Sequence, residues 1–229
     1  QKTYKVTFDD GSWTLCGLDH LWTVKAREQR FPRHEGQSTD WVVMSLREIR
    51  DRWGDRPKNV QRISIPVTQP LRLAHQHVDL DPYLMGALLG DGCVSNASYS
   101  FTSADPWLVE EVRRLLPPGH EMVSCGLEPD IQFRFRVRDG HTGRELRDAI
   151  EGYGLHGHRS WEKFVPTAYL YNSLDVRLAV LQGLLDTDGY CNDKNGAVEY
   201  STTSPRLAED VAFLVRSLGG KTRTVERVT

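Results

Sequence analysis

An α+β fold containing a duplicated unit is predicted from three observations. A nine-residue apolar segment ending in Asp-Gly occurs twice, at residues 84–92 (LMGALLGDG) and 181–189 (LQGLLDTDG). Each copy is followed by a similar run. Tyr99-Ser100-Phe101-Thr102-Ser103 precedes a helix opened by Pro106, and Tyr200-Ser201-Thr202-Thr203-Ser204 precedes one opened by Pro205. The region before the first copy reads instead as short strands and turns. A repeat is weighed before other signals because missing it misreads the whole fold. The two aspartates are 97 positions apart (188 − 91) and the two tyrosines 101 (200 − 99). The spacing predicts a helix–hairpin–helix unit used twice, with a short insertion in the second hairpin.

At 229 residues the chain has room for one or two modest cores. A hydrophobic content of 39% beside 26% charged residues fits a globular chain rather than a disordered one. No apolar run is long enough to cross a bilayer and no signal-peptide pattern opens the sequence, so no membrane association and a cytoplasmic location are expected. Cys16, Cys93, Cys125 and Cys191 lack paired CxxC spacing, which argues against a zinc site or a disulfide framework. With a net charge of −2, binding to nucleic acid requires that the basic residues gather on one surface.

In the N-terminal region Tyr4-Lys5-Val6-Thr7-Phe8 alternates, Asp9-Asp10-Gly11-Ser12 is a hairpin turn, and Trp13-Thr14-Leu15-Cys16 resumes the strand. Residues 21–24, 41–44 and 62–67 are further strands, and residues 26–40 an irregular loop. Ser45 caps a helix through Arg52, with Glu48 completing a capping box. The basic residues Arg47, Arg50, Arg52, Arg56, Lys58 and Arg62 are interspersed with Glu48, Asp51 and Asp55, as on an amphipathic surface helix. Residues 68–78 read as a linker.

Asp81 caps the helix formed by the first nonamer, with Pro82 at its first position. Asp105-Pro106 opens a helix carrying Leu108, Val109, Val112, Leu115 and Leu116 at helical spacing, stopped by Pro117-Pro118-Gly119. Residues 131–138 alternate as a strand. A helix over about 143–152 puts Leu146 and Ile150 on one face. The second nonamer's helix begins near Ser173, and a closing strand is expected at residues 221–227. The predicted domains are 1–76, mostly β with its linker, and 77–229. The latter divides at about 79–172 and 173–229, the second half lacking two elements of the first.

Residues four apart share a helix face. Gly86 and Gly90 have that spacing, as do Gly183 and Thr187, and small residues so placed let two helix backbones approach closely. Asp91 and Asp188 end these helices, so a crossing there would bring two carboxylates together. Like charges at the partly negative ends of two helices repel. A divalent cation such as Mg²⁺ relieves the repulsion and takes oxygen ligands. Asp-Gly is also an ordinary helix stop, but two copies in the same context weigh against that reading.

The two nonamers resemble the paired motifs of the LAGLIDADG homing endonucleases, whose eighth position is a metal-binding aspartate. Asp91 and Asp188 occupy it. The sixth position, often acidic in that family, is Leu89 in one copy and Asp186 in the other. The resemblance covers roughly residues 79–229. It implies a pseudo-two-fold αββαββα architecture of the two-motif, monomeric type, with saddle-shaped sheets over double-stranded DNA. It also implies Mg²⁺-dependent hydrolysis of both strands, with Asp91 and Asp188 as catalytic and metal-holding residues.

Lys163, in Glu162-Lys163-Phe164-Val165-Pro166, resembles the Lys-x-x-Pro block between the motifs of intein-borne members, where the lysine is a catalytic helper. A plain surface lysine is the competing reading. Lys221 is its candidate counterpart in the second half. On the strand at 131–138 the arginines Arg134, Arg136 and Arg138 alternate with Phe133, Phe135 and Val137, a pattern suited to phosphates and guanine edges. Arg223 and Arg227 repeat it beside the second motif. The pairs His75/His77 and His156/His158 read as loop residues.

The stretch from Thr7 through His20 to Trp22 resembles the second conserved block of the Hint protein-splicing domain, whose histidine polarises the scissile peptide. His20 matches that histidine. The family usually has a threonine three residues earlier, where this chain has Gly17, and a structural histidine is the alternative. Gln1 is neither the Cys nor the Ser that opens an intein, and no His-Asn pair precedes Thr229. The chain therefore reads as an internal part of a longer intein, flanked by host-protein exteins. The competing functional readings are a nucleic-acid binder that has lost cleavage, and a splicing element whose endonuclease is degenerate.

Overall fold

The computed structural model describes residues 2–26, 40–54, 63–96, 98–141 and 143–227. It is a mixed α+β structure with several small sheets. Its contacts divide the chain into two units, Gln1–Thr68 and Gln69–Thr229.

In the N-terminal unit β1 (Tyr4–Thr7) pairs antiparallel with β2 (Trp13–Cys16). The turn between them is closed by Ser12, whose N–H and hydroxyl both donate to Asp10 Oδ1 (2.9 and 2.6 Å). Gly11 there sits at φ 86°, a conformation that favours glycine. β3 (Leu21–Ala26) lies between β4 (Val42–Ser45) and β5 (Ile63–Ser64). Ser45 ends β4 and caps α1 (Leu46–Trp53) through the expected capping box. Its hydroxyl accepts from Glu48 N–H (3.2 Å) while its own N–H donates to Glu48 Oε2 (2.7 Å). Of the strand expected at 62–67 only the two residues of β5 pair, and Pro66 offers no N–H to prolong the ladder. The expected loop, apart from its ends, and the basic residues Arg56, Lys58 and Arg62 lie outside the described residues.

The second unit begins with residues 69–78, which have no regular secondary structure and are tied down at Leu71 and Gln76. Leu71 N–H donates to Ser217 O (2.8 Å), and Asn172 exchanges hydrogen bonds with the Gln76 backbone (both 2.9 Å). The fully buried Arg177 donates to Asn172 O (3.0 Å), Ser217 O (2.9 Å) and Leu71 O, which ties the segment to two helices.

α2 (Pro82–Gly90) follows, with Asp81 Oδ1 accepting from Tyr83 N–H (2.8 Å) as predicted. Residues 84–89 of this helix are all buried, so it is a central helix rather than an amphipathic surface one. Next come β6 (Gly92–Cys93), β7 (Ser100–Thr102) and α3 (Pro106–Leu115), capped by Asp105. β8 (His120–Ser124), β9 (Gln132–Val137) and α4 (Glu145–Gly152) complete this part. The strands form one antiparallel sheet in the order β6-β7-β9-β8. A short α5 (Thr167–Leu170) leads to α6 (Leu174–Asp188), β10 (Gly189–Cys191), β11 (Val198–Tyr200) and α7 (Pro205–Ser217). The core joins Phe101, Met122, Phe133 and Phe135 of the sheet to Leu84 and Leu88 of α2, Ile150 of α4, and Val180 and Leu184 of α6.

Four expectations need correction. β8 and α5 are additions to the elements expected from the sequence. β8 carries His120 and Glu121 where an apolar/polar alternation would show, yet His120 and Met122 point inward. Residues 221–227 form no strand. The segment follows α7 as β8 follows α3, but β8 pairs with β9, and no described strand follows residues 221–227 to serve as a ladder partner. Arg138 lies past the end of β9, where its N–H donates to Gly119 O (2.8 Å), and Val137 is 41% exposed. Finally, Gly92 pairs with Phe101 and Gly189 with Tyr200, so Tyr200 corresponds to Phe101 rather than to Tyr99. The caps Asp105 and Ser204 agree, and the second hairpin is two residues longer, not four.

Candidate active site

The site is built on the contact between α2 and α6. A Cβ on Gly86 would fall 2.2 Å from Val180 O, and one on Gly183 would fall 2.3 Å from Tyr83 O and 2.7 Å from Ala87 N. A Cβ on Gly90 would meet Thr187 Oγ1 at 2.0 Å. Backbone therefore packs on backbone, which only glycine permits at the first two positions. Gly92 and Gly189 share another constraint: a Cβ at either would strike the carbonyl of its own helix, Leu88 O at 2.4 Å or Leu185 O at 2.3 Å.

This packing sets the two helix ends side by side and brings Asp91 and Asp188 together. Burial raises the Asp91 carboxyl above its ordinary range. Burial raises Asp188 as well, and the charge of Asp91 raises it further. Lys163 opposes both shifts. Its side chain is 4% exposed, and Nζ lies within hydrogen-bond distance of four carbonyls that end α2: Leu88 O (3.1 Å), Leu89 O (2.9 Å), Gly90 O (2.8 Å) and Gly92 O (2.7 Å). An ammonium there caps the negative end of the helix. Burial pulls its pKa down to about 8, against the attraction of Asp188 and Asp91. The sequence-predicted trio of Asp91, Asp188 and Lys163 is thus one cluster. Lys163 is no solvated surface lysine.

Residues that the sequence did not single out hold this lysine. Ser204 is 1% exposed and caps α7 by accepting from Leu207 N–H (3.1 Å), while its hydroxyl donates to Lys163 O (2.7 Å). Asp210, farther along α7, accepts from Val165 N–H (2.8 Å). The only sequence signal for either was a serine before Pro205, the ordinary mark of an N-cap. The sixth-position residue Asp186 accepts from the Tyr83 hydroxyl (2.7 Å) across the helix pair, and burial followed by this bond raises the phenol's pKa. Tyr200 also borders the site. Burial and the charges of Asp188 and Asp91 raise its pKa against the nearby Thr202 side chain, and its buried hydroxyl has no partner at full hydrogen-bond geometry.

The other predicted residues stand on other segments of the chain. Arg134 and Arg136 are exposed on the sheet face opposite Phe133 and Phe135, with Ser100 and Val123 paired to Arg134 and Glu121 paired to Arg136. Lys221, Arg223 and Arg227 are exposed in the segment after α7. His20 belongs to the N-terminal unit, where it is exposed just before β3 with its ring edge-on to Trp22 (centroids 5.2 Å apart). His156 accepts from or donates to the Tyr99 hydroxyl (2.9 Å). Among the described residues no cluster of three or more His, Cys, Asp or Glu is gathered, so a cation between Asp91 and Asp188 would need other oxygen ligands. None of the described helices is long and apolar enough to cross a membrane.

Comparison with known proteins bears on the same region. Residues 175–229, which contain α6 from its second residue, Asp188 and α7, match a family described as LAGLIDADG-like domain. The replicative DNA helicase DnaB of Mycobacterium intracellulare is 31% identical over 234 residues, an alignment taking in 96% of this chain and 35% of that protein. The ATP-dependent DNA helicase Hel308 of Thermococcus kodakarensis is 40% identical over 68 residues, 28% of this chain and 6% of that protein. A DNA gyrase subunit of Mycobacterium kansasii is 25% identical over 169 residues, 69% of this chain and 30% of that protein. The chain spans little more than a third, at most, of the length of any of the three.

Proposed function

We propose that residues 69–229 are a LAGLIDADG-type homing endonuclease that hydrolyses both strands of a DNA target, carried within a protein-splicing element. The observation that supports this most directly is the glycine-mediated contact of α2 with α6, which holds two half-buried carboxylates beside a buried ammonium. Such a crowded charge cluster works against stability, and groups with perturbed titration of this kind concentrate at functional sites.

The donor set fits Mg²⁺. Two carboxylates that resist being charged together gain most from a hard cation, and the lack of further acidic or histidine neighbours among the described residues leaves room for water and phosphate oxygens. Asp91 and Asp188 would hold it, and when bound it supplies charge neutralisation and a more acidic water. The chain's own residues do the rest. Lys163 lowers the repulsion between the carboxylates and adds fixed positive charge where phosphate charge develops. Arg134 and Arg136 offer guanidinium groups to the DNA backbone and to guanine edges from the exposed face of β9. Lys221, Arg223 and Arg227 add basic charge after α7, and Arg138 does so past the end of β9. In this reading the two helix–hairpin–helix units are halves of the αββαββα fold, and the protein acts as a monomer.

The relatives favour an inserted element. Parts of this chain recur in a replicative helicase, a second helicase and a gyrase subunit, each time as a minor share of the protein. A segment shared by such different proteins serves a function of its own. The N-terminal unit, with His20 before β3, then belongs to the splicing domain, and the flanking host protein supplies the exteins. The DNA target is the host gene uninterrupted by this element.

A supercoiled plasmid carrying that uninterrupted coding sequence tests the proposal. Incubation with the protein and Mg²⁺ should linearise it, and Asp91→Asn or Asp188→Asn should leave no linear product. Linearisation by either variant at the wild-type rate would sink the assignment.

A further inference from the structure

The two halves differ chemically at one position beside the aspartates. Phe101 on β7 stands opposite Gly92, and Tyr200 on β11 stands opposite Gly189, each glycine following its aspartate directly. The adjoining main-chain bond recurs as well: Thr102 N–H donates to Asp91 O (3.2 Å) and Ser201 N–H to Asp188 O (3.4 Å). The two aromatic rings therefore occupy matching places. Phe101 is fully buried and apolar. Tyr200 carries a hydroxyl at that place, buried beside the Thr202 side chain but with no partner at full hydrogen-bond geometry.

An unsatisfied buried hydroxyl is destabilising, and folded proteins seldom leave one without a partner or an ordered water. Nothing in packing requires the oxygen, since phenylalanine fills the equivalent position in the first half. Three groups near the hydroxyl make the location polar enough to hold a water molecule: Asp188, Asp91 and Thr202. A protonated phenol can donate to that water, which in turn donates to a carboxylate.

We propose that Tyr200 is a positioning residue for Asp188: its hydroxyl donates through one ordered water to the Asp188 carboxylate and fixes its orientation. Phe101, at the matching place beside Asp91, offers no hydroxyl for the same role. The half-sites are therefore unequal, and one DNA strand is cut faster than the other. This rests on the endonuclease reading above.

The test compares wild type, Tyr200→Phe and Phe101→Tyr on the same plasmid target, with each strand labelled separately. Tyr200→Phe should slow one strand about 10-fold and leave the other unchanged, so that nicked plasmid accumulates. Phe101→Tyr should leave the strand slowed by Tyr200→Phe unaffected. A crystal structure of the metal-free protein should contain a water within about 3 Å of both Tyr200 Oη and the Asp188 carboxylate. Equal slowing of both strands, no slowing, or a dry void at the hydroxyl would each overturn the proposal. Wild type that cuts while Tyr200→Phe cuts identically refutes the tyrosine's role alone. Wild type that cuts neither strand overturns the endonuclease reading, and the tyrosine's role with it.

Discussion

Replacing Gly183 by alanine would place a methyl group 2.3 Å from Tyr83 O, 2.7 Å from Ala87 N and 3.1 Å from Gly86 C. All three are backbone atoms of α2, so no side chain can rotate away. Ordinary contact begins near 3.4 Å, and the two helices must therefore separate by about 1 Å. That movement loosens the packing of Leu84, Leu88, Val180 and Leu184, which lie at 0–2% exposure. Overpacking of this kind is destabilising by about 1–3 kcal/mol, and a three-atom backbone clash belongs at roughly the upper end. At about 2–4 °C per kcal/mol for a chain of this size, Tm should fall by roughly 6–12 °C. The same shift parts Asp91 from Asp188, and a displacement of about 1 Å at a reacting centre lowers the rate about 100-fold. Gly152→Ala provides the control. Gly152 ends α4 with nothing within 4 Å of its Cβ position, so that variant should match wild type or gain about 0.5–1 kcal/mol. Circular-dichroism melts and plasmid linearisation read the two effects. A Gly183→Ala protein with Tm and cleavage indistinguishable from wild type would refute the close helix contact as the device that assembles the site.

Cleavage should fall as pH rises through about 8, where Lys163 loses its proton. Its folded pKa lies below the ordinary 10.5, so between about 8 and 10.5 the folded state binds fewer protons than the unfolded one, and this group's contribution to stability rises across that window. Rate and Tm measured from pH 6.5 to 9.5 should therefore move in opposite directions above about pH 8, and Lys163→Met should lose about 100-fold in rate at about pH 7. A rate that stays flat from about pH 7 to 9.5 would remove Lys163 from the mechanism. Asp188→Asn should raise Tm at neutral pH while abolishing cleavage. The raised carboxyl prefers its proton in the folded state, so its charge subtracts stability once the pH passes above the ordinary carboxylate range. A lower Tm for that variant, without added metal, would mean that the carboxylate stabilises the fold rather than straining it.

Local signals in the sequence are dependable where a few neighbouring residues decide the outcome. Asp81-Pro82, Asp105-Pro106 and the Ser45/Glu48 box each mark a helix start, because a cap satisfies backbone donors within three or four residues of itself. The repeated nonamer likewise announces the helix contact and the paired aspartates, because residues four apart share a face whatever the fold around them. The strand expected at 221–227 fails for the complementary reason. Alternation states that a segment can pair, not that a partner exists, and the strand after α3, β8, finds its partner only in the later β9. His120 hides β8 because burial of a histidine depends on what the sheet packs against.

Composition and period alone place aspartates at the ends of two glycine-bearing helices and a lysine between the copies. The contacts that turn these residues into a site arise only in three dimensions. Lys163 Nζ reaches four carbonyls at the end of α2, Ser204 holds its backbone, and Tyr200 stands opposite Gly189 as Phe101 stands opposite Gly92. The lysine's contacts join residues 41 to 75 positions apart, and no periodicity along the chain encodes which distant backbone a buried cation will find.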